Sequence, residues 1–135
     1  MTAAEMEQYV CSRWDSVNWG ASNYELTQFG VILYDDEEGI GFRANSQASA
    51  WQSAYDFTIA REEKIRQVEK ETEAITELFE TYARRVRLAL SGGLEGAESG
   101  LWDNWIFEAV RYAQRYARIL AREQAALADL KRGMR

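Results

Sequence analysis

Between residues 46 and 90 the apolar positions fall into a line. Ile65, Val68, Thr72, Ile75, Phe79, Tyr82, Val86 and Ala89 are spaced 3-4-3-4-3-4-3. That rhythm makes one side of a helix apolar and asks for a partner helix to cover it. No proline interrupts the stretch, and Asn45 or Ser46 is its natural N-cap. The upstream half of the same helix carries Trp51, Ala54, Tyr55 and Ile59, bulky groups suited to the face of a small sheet. A second long helix is predicted from about Leu101 to Arg132. Its seam is Trp102, Ile106, Ala109, Ala113, Tyr116, Leu120, Glu123, Leu127 and Leu130, again alternating fours and threes. Beside it, at every seventh residue, stand Trp105, Tyr112, Ile119 and Ala126, so the apolar arc is wider than one seam requires.

The first third of the chain changes period. Met6, Tyr9, Val10 and Arg13 or Trp14 predict a short helix over residues 2–14. Val17 and Trp19 alternate with polar residues and permit a short strand, after which Gly20-Ala21-Ser22-Asn23 reads as a turn. Phe29–Tyr34 reads as a strand with Phe29, Val31 and Leu33 on one side and Ile32 and Tyr34 on the other. Gly30 inside it predicts a bend, a bulge or a close backbone approach. Asp35-Asp36-Glu37-Glu38-Gly39 makes a hairpin connection to a returning strand, Ile40–Arg43. Ser91-Gly92-Gly93 ends the long helix, and residues 91–100 hold four glycines.

The expected fold is α+β and predominantly helical. A small N-terminal helix and a two- or three-stranded antiparallel sheet pack on a long antiparallel two-helix hairpin, all in one domain. Residues 1–45 form an acidic α/β head, 46–90 a long helix shared by head and hairpin, 91–100 a glycine-rich loop, and 101–135 the C-terminal helix. The two long helices span roughly 65–70 Å and about 45–48 Å. The shorter one therefore leaves the Trp51 and Tyr55 region to the head. The wide apolar arc of the last helix predicts self-association, most simply as a homodimer, through Trp105, Tyr112, Ile119 and the arginines beside them.

Composition narrows the chemistry. Apolar residues make up 47% of the 135, and the chain is too rich in them to be disordered. No run approaches the roughly 20 apolar residues of a membrane span. The opening MTAAEMEQYV carries acids where a signal peptide carries bases, so a soluble cytoplasmic protein is expected. Cys11 is the single cysteine, which excludes an internal disulfide, and it reads as a small buried side chain. Histidine is absent, which removes Ser-His-Asp and Cys-His catalysis and every His-ligated metal. No catalytic residue, metal or cofactor is expected, and a non-enzymatic protein is. The net charge of −6 is uneven: residues 1–45 hold eight acids and two bases, 46–90 eight and seven, 91–135 six and seven. An acidic first third repels phosphate backbones and suits a basic protein partner.

Four constellations stand out. Asp35, Asp36, Glu37 and Glu38 form the densest acid cluster. Their spacing does not match an EF-hand, and they read as a solvated hairpin tip or as a partner-binding surface. Arg111, Arg115, Arg118 and Arg122 are spaced 4-3-4 and form one stripe opposite the Ile106/Ala113/Leu120 seam. They read as a solvated face, as a subunit contact with the outer acids Glu62, Glu69, Glu73 and Glu80 of the long helix, or as a phosphate track. Arg84, Arg85 and Arg87 complement the dipole at a helix C-terminus. The aromatic side chains of the first third form the head's core, and Arg43 with Trp51 and Tyr55 is a candidate ligand pocket. Gly39-Ile40-Gly41 lacks the third glycine and the βαβ context of a dinucleotide fingerprint.

The order α-β-β-β-α over residues 1–60 resembles the double-stranded RNA-binding domain. Its second helix opens SQASAWQSAYDF, with no Lys or Arg between Arg43 and Arg61, so the lysine-rich phosphate clamp of that family is missing. A second resemblance rests on Gly41-Phe42-Arg43, Ala50-Trp51-Gln52, Tyr55-Asp56-Phe57-Thr58, Arg61-Glu62-Glu63 and Ile65-Arg66-Gln67-Val68-Glu69. Residues 41–69 resemble small phage-borne accessory proteins, anti-CRISPR and other anti-defence proteins among them. That resemblance implies a stoichiometric, phage-encoded inhibitor of a host defence complex, acting in the host cytoplasm through its acidic head. The alternatives are a nucleotide-sequestering protein with an aromatic pocket near Arg43, and a structural assembly subunit built on the hairpin.

Overall fold

The computed structural model describes residues 1–21, 28–35, 38–90 and 99–135, with side chains from residue 105 onward in the last stretch. Helix α1 (Ala3–Arg13) precedes strands β1 (Val17–Ala21), β2 (Phe29–Asp35) and β3 (Glu38–Ala44), and two long helices follow, α2 (Gln47–Leu90) and α3 (Ser99–Lys131). The α+β, mainly helical architecture is the expected one, with three strands. The chain forms two compact units. One takes in Met1–Arg66 and Ala128–Arg135, the other Gln67–Leu127. Each long helix therefore serves two cores.

In the first unit, α1 starts on a capping box. Thr2 Oγ1 accepts from the Glu5 amide at 3.2 Å, and the Glu5 carboxylate accepts from the Thr2 amide. Ser46 caps α2, its hydroxyl accepting from the Ser49 amide at 3.1 Å. The sheet is antiparallel in the order β1-β2-β3. Gly20 and Ala21 belong to β1 rather than to a turn, and Ser22 and Asn23 lie outside the described residues. Gly30 sits in regular register, opposite Gly20 on one side and Arg43 on the other, with no bulge.

Alternation in β2 sends Val31 and Leu33 inward, fully buried, and leaves Ile32 outward. Met6 and Val10 of α1, Trp14, and Ala50, Trp51 and Ala54 of α2 close over them. One buried hydrogen bond fixes the middle of this core. The Trp14 indole N–H donates to Thr58 Oγ1 at 3.0 Å, and the Thr58 hydroxyl donates to the Ala54 carbonyl at 2.8 Å. Thr58 is fully buried yet has both roles filled.

The end of α3 returns to this unit. The Asp15 amide donates to the Gly133 carbonyl and the Arg135 amide to the Arg13 carbonyl, both at 2.9 Å, so Trp14 and Met134 form an antiparallel bridge. Arg61 Nη1 reaches the Leu130 carbonyl at 3.2 Å. Gly133 makes the turn possible. It holds φ at 78°, and a Cβ there would collide with the Tyr34 carbonyl oxygen and come within 2.7 Å of Asp35 Cα.

The second unit is a helical hairpin. The α2 seam from Val68 to Ala89 and the α3 seam from Ile106 to Leu127 are buried or half-buried at every predicted position. Tyr82 of α2 lies against Tyr112 and Tyr116 of α3, with ring centroids 5.1 and 5.7 Å apart. Thr72, in the seam, turns its hydroxyl back to the Val68 carbonyl at 2.8 Å. The expected stop at Ser91-Gly92-Gly93 lies outside the described residues.

Replacing Thr58 with Val keeps the shape but strands the Trp14 N–H in an apolar core. Thr58→Val is expected to lose about 1–3 kcal/mol in urea unfolding. An unchanged midpoint would show that this bond does not hold the core.

Candidate functional site

The acidic tip is built on the β2–β3 hairpin. Asp35 pairs with Glu38 in the last register position of the ladder. Glu38 is exposed, and Asp35 is half-buried. Asp35 Oδ1 is shielded from solvent and has no hydrogen-bond partner among the described residues. Asp36 and Glu37 lie outside the described residues. No group of three or more Cys, Asp and Glu side chains converges among the described residues in a way that could hold a metal.

Arg43, Trp51 and Tyr55 are not brought together. Trp51 is fully buried beneath the sheet, its indole N–H has no partner among the described residues, and Trp19 lies at 5.6 Å. Tyr55 stands edge-on to Tyr9 at 5.3 Å. Arg43 lies between Phe42 and Ala44, which both pack toward the core, so strand alternation turns it to the opposite face. There it borders a shallow hollow of about 390 Å³ with Asn18, Gly20, Gly30, Ile32 and Gly41. The aromatic set is core and the arginine is surface.

The arginine stripe lies on the surface of α3. Arg111, Arg115, Arg118 and Arg122 are exposed on α3, and with Tyr112 and Ile119 they line a hollow of about 530 Å³. Tyr112 and Trp105 are partly covered from within the chain, Tyr112 by Tyr82. Arg85 lies over the Tyr82 ring at 5.2 Å, beyond a simple dipole role.

Glu62 corrects the expected outer line of acids. It is not solvated but points into the first unit. The Tyr9 hydroxyl donates to its two carboxylate oxygens at 3.0 and 2.8 Å, and Arg13 Nε lies 3.4 Å away. Arg13 also covers the Tyr9 ring at 4.8 Å. Burial raises the Tyr9 pKa, with the Glu62 hydrogen bond adding to it. Burial, helped by Glu7, likewise raises Cys11. A phenol and a thiol pushed upward stay protonated at neutral pH, so Tyr9 acts here as a structural donor and Cys11 as a side chain packed against the core. The pairing of Tyr9 with Glu62 has no local sequence signal, because the partners are fifty-three positions apart.

No helix among the described residues is long and apolar enough to cross a membrane. No protein-family model, curated protein or solved structure matches this chain.

Tyr9 holds its proton more tightly folded than unfolded. Its contribution is therefore complete below its ordinary value of 10.0 and is lost as pH rises through the raised one. Between about pH 9 and about pH 11 the urea midpoint is expected to fall more steeply for the wild type than for Tyr9→Phe. Parallel slopes would remove this role.

Proposed function

We propose that the chain is a non-enzymatic binding protein that works as a homodimer and meets a basic protein surface with its acidic head. The observation that carries this reading is the apolar surface that the hairpin leaves in solvent among the described residues. In the second unit, Ala89 and Ala109 are the fully buried apolar side chains among the described residues. Leu78, Phe107 and Tyr112 meanwhile keep 42%, 72% and 39% of their surface in solvent. A single seam between two helices stabilises little, and a second pair of helices supplies the absent core.

A second copy also fits by charge. Arg111, Arg115, Arg118 and Arg122 face solvent on α3, and Glu71, Glu73, Glu77 and Glu80 face it on α2. A two-fold axis makes each contact twice, so α3 of each copy can meet α2 of the other. Exposed ion pairs contribute about 0–1 kcal/mol each, so the charges select register and the apolar line supplies affinity.

The head unit carries twelve acids against eight bases, a net charge of −4. That balance favours a basic protein surface over nucleic acid. The resemblance of residues 41–69 to phage-borne anti-defence proteins supports the finer reading, an inhibitor of a host defence complex of the CRISPR type acting in the host cytoplasm. In that reading Asp35, Asp36, Glu37 and Glu38 are the contact residues.

Light scattering is expected to give twice the chain mass of 15.5 kDa. Phe107→Glu combined with Arg115→Glu should return it to the monomer. A wild-type monomer at every concentration would contradict the dimer. Reversing all four tip acids to Lys should abolish capture of the target from a host lysate and leave the melting temperature unchanged. Capture of the same proteins by both forms would sink the acidic-tip contact.

A further inference from the structure

The outward face of the three-stranded sheet is unusually bare. Its middle rows run Gly20–Gly30–Arg43 and Asn18–Ile32–Gly41 across the strands. Three of these six positions are glycine. A solvated antiparallel face ordinarily carries polar or β-branched side chains, and glycine weakens a strand. Gly20 has a backbone reason, with φ at 157°. Gly30 and Gly41 have no such reason, because neither is among the positive-φ glycines.

Packing among the described residues does not require them either. A Cβ on Gly41 would meet nothing within 4 Å, and one on Gly30 would find only the Phe42 carbonyl oxygen at 3.9 Å. A strand glycine commonly marks a place where another backbone or a ligand comes close. With no such neighbour among the described residues, that approach points to a ligand.

We propose that this glycine floor is a binding site for a nucleoside monophosphate. Three strands make a floor roughly 10 Å across, wide enough for one fused ring system lying flat. The hollow of about 390 Å³ is of small-ligand size and is lined mainly by apolar surface. Ile32, 36% exposed, stands at its border as an apolar wall. Asn18 offers an amide for a base edge. Arg43 is exposed, has no ion pair among the described residues, and presents the planar fork that grips a phosphate through two hydrogen bonds. A single arginine in a head of net charge −4 selects a monophosphate over a more highly charged ligand. The site lies on the sheet and does not depend on the hairpin dimer, so either reading can fail alone.

Titration calorimetry on the full chain tests the site with AMP, GMP, CMP and UMP, with adenosine, with ribose 5-phosphate, and with a short oligonucleotide. At least one monophosphate is expected to bind, with the free nucleoside and the sugar phosphate weaker by about tenfold or more. Gly41→Val and Gly30→Val should each abolish that binding while leaving the melting temperature at or above the wild-type value. Arg43→Gln should weaken it by about tenfold or more. The proposal is overturned if no monophosphate binds, or if only the oligonucleotide does. It is equally overturned if Gly41→Val binds like the wild type. A lowered melting temperature in both valine variants would assign the glycines an internal role and overturn it as well.

Discussion

Two helices that meet along one seam leave most of their surface to solvent, and that constraint shapes this protein. Each helix can turn one line of side chains toward the other. In the hairpin those lines hold Phe79, Tyr82, Val86 and Ala89 on α2 and Ile106, Ala109, Tyr116 and Leu120 on α3. Most of them remain half-exposed, and only the two alanines are sealed. Tyrosine stacking at Tyr82 widens the contact without closing it. The apolar surface beside the arginine stripe follows from this geometry, and it is the surface the proposed second copy would cover.

The first unit solves the same problem by layering a sheet against helices. A face of β2 contributes Val31 and Leu33, and α1 and α2 close over it with Val10, Trp14 and Trp51. Large rings fill a small volume, so few residues are needed to seal it. The Trp14–Thr58 hydrogen bond removes the polar penalty of a buried indole. Residues 133–135 then lie alongside residues 13–15, tying the far end of α3 into the same core. One side of the sheet is used up in this way, and the other carries the glycines and Arg43.

Periodicity made much of this legible from the sequence. Both helical seams were readable because a 3-4 repeat can only be a helix face, and Val31 and Leu33 were readable because a strand alternates. Four things were not legible, each for a physical reason. Glu62 lies in register with solvated acids, and only the tertiary approach of Tyr9 draws it inward. Arg43, Trp51 and Tyr55 are close along the chain, but a strand and the helix covering it place them on opposite sides of a sheet. Met134 pairs with Trp14 through backbone groups, which carry no side-chain signature. Gly20, Gly30 and Gly41 were visible as residues, but only the register brings them together on one face.

Hydrogen–deuterium exchange across a range of protein concentrations tests the central claim most directly, because it reads each unit separately. If a second copy completes the hairpin core, amides of residues 67–90 and 105–127 gain protection as concentration rises, while those of α1 and the sheet do not change. Protection of the hairpin that is high and independent of concentration would contradict the account, since two helices would then suffice by themselves.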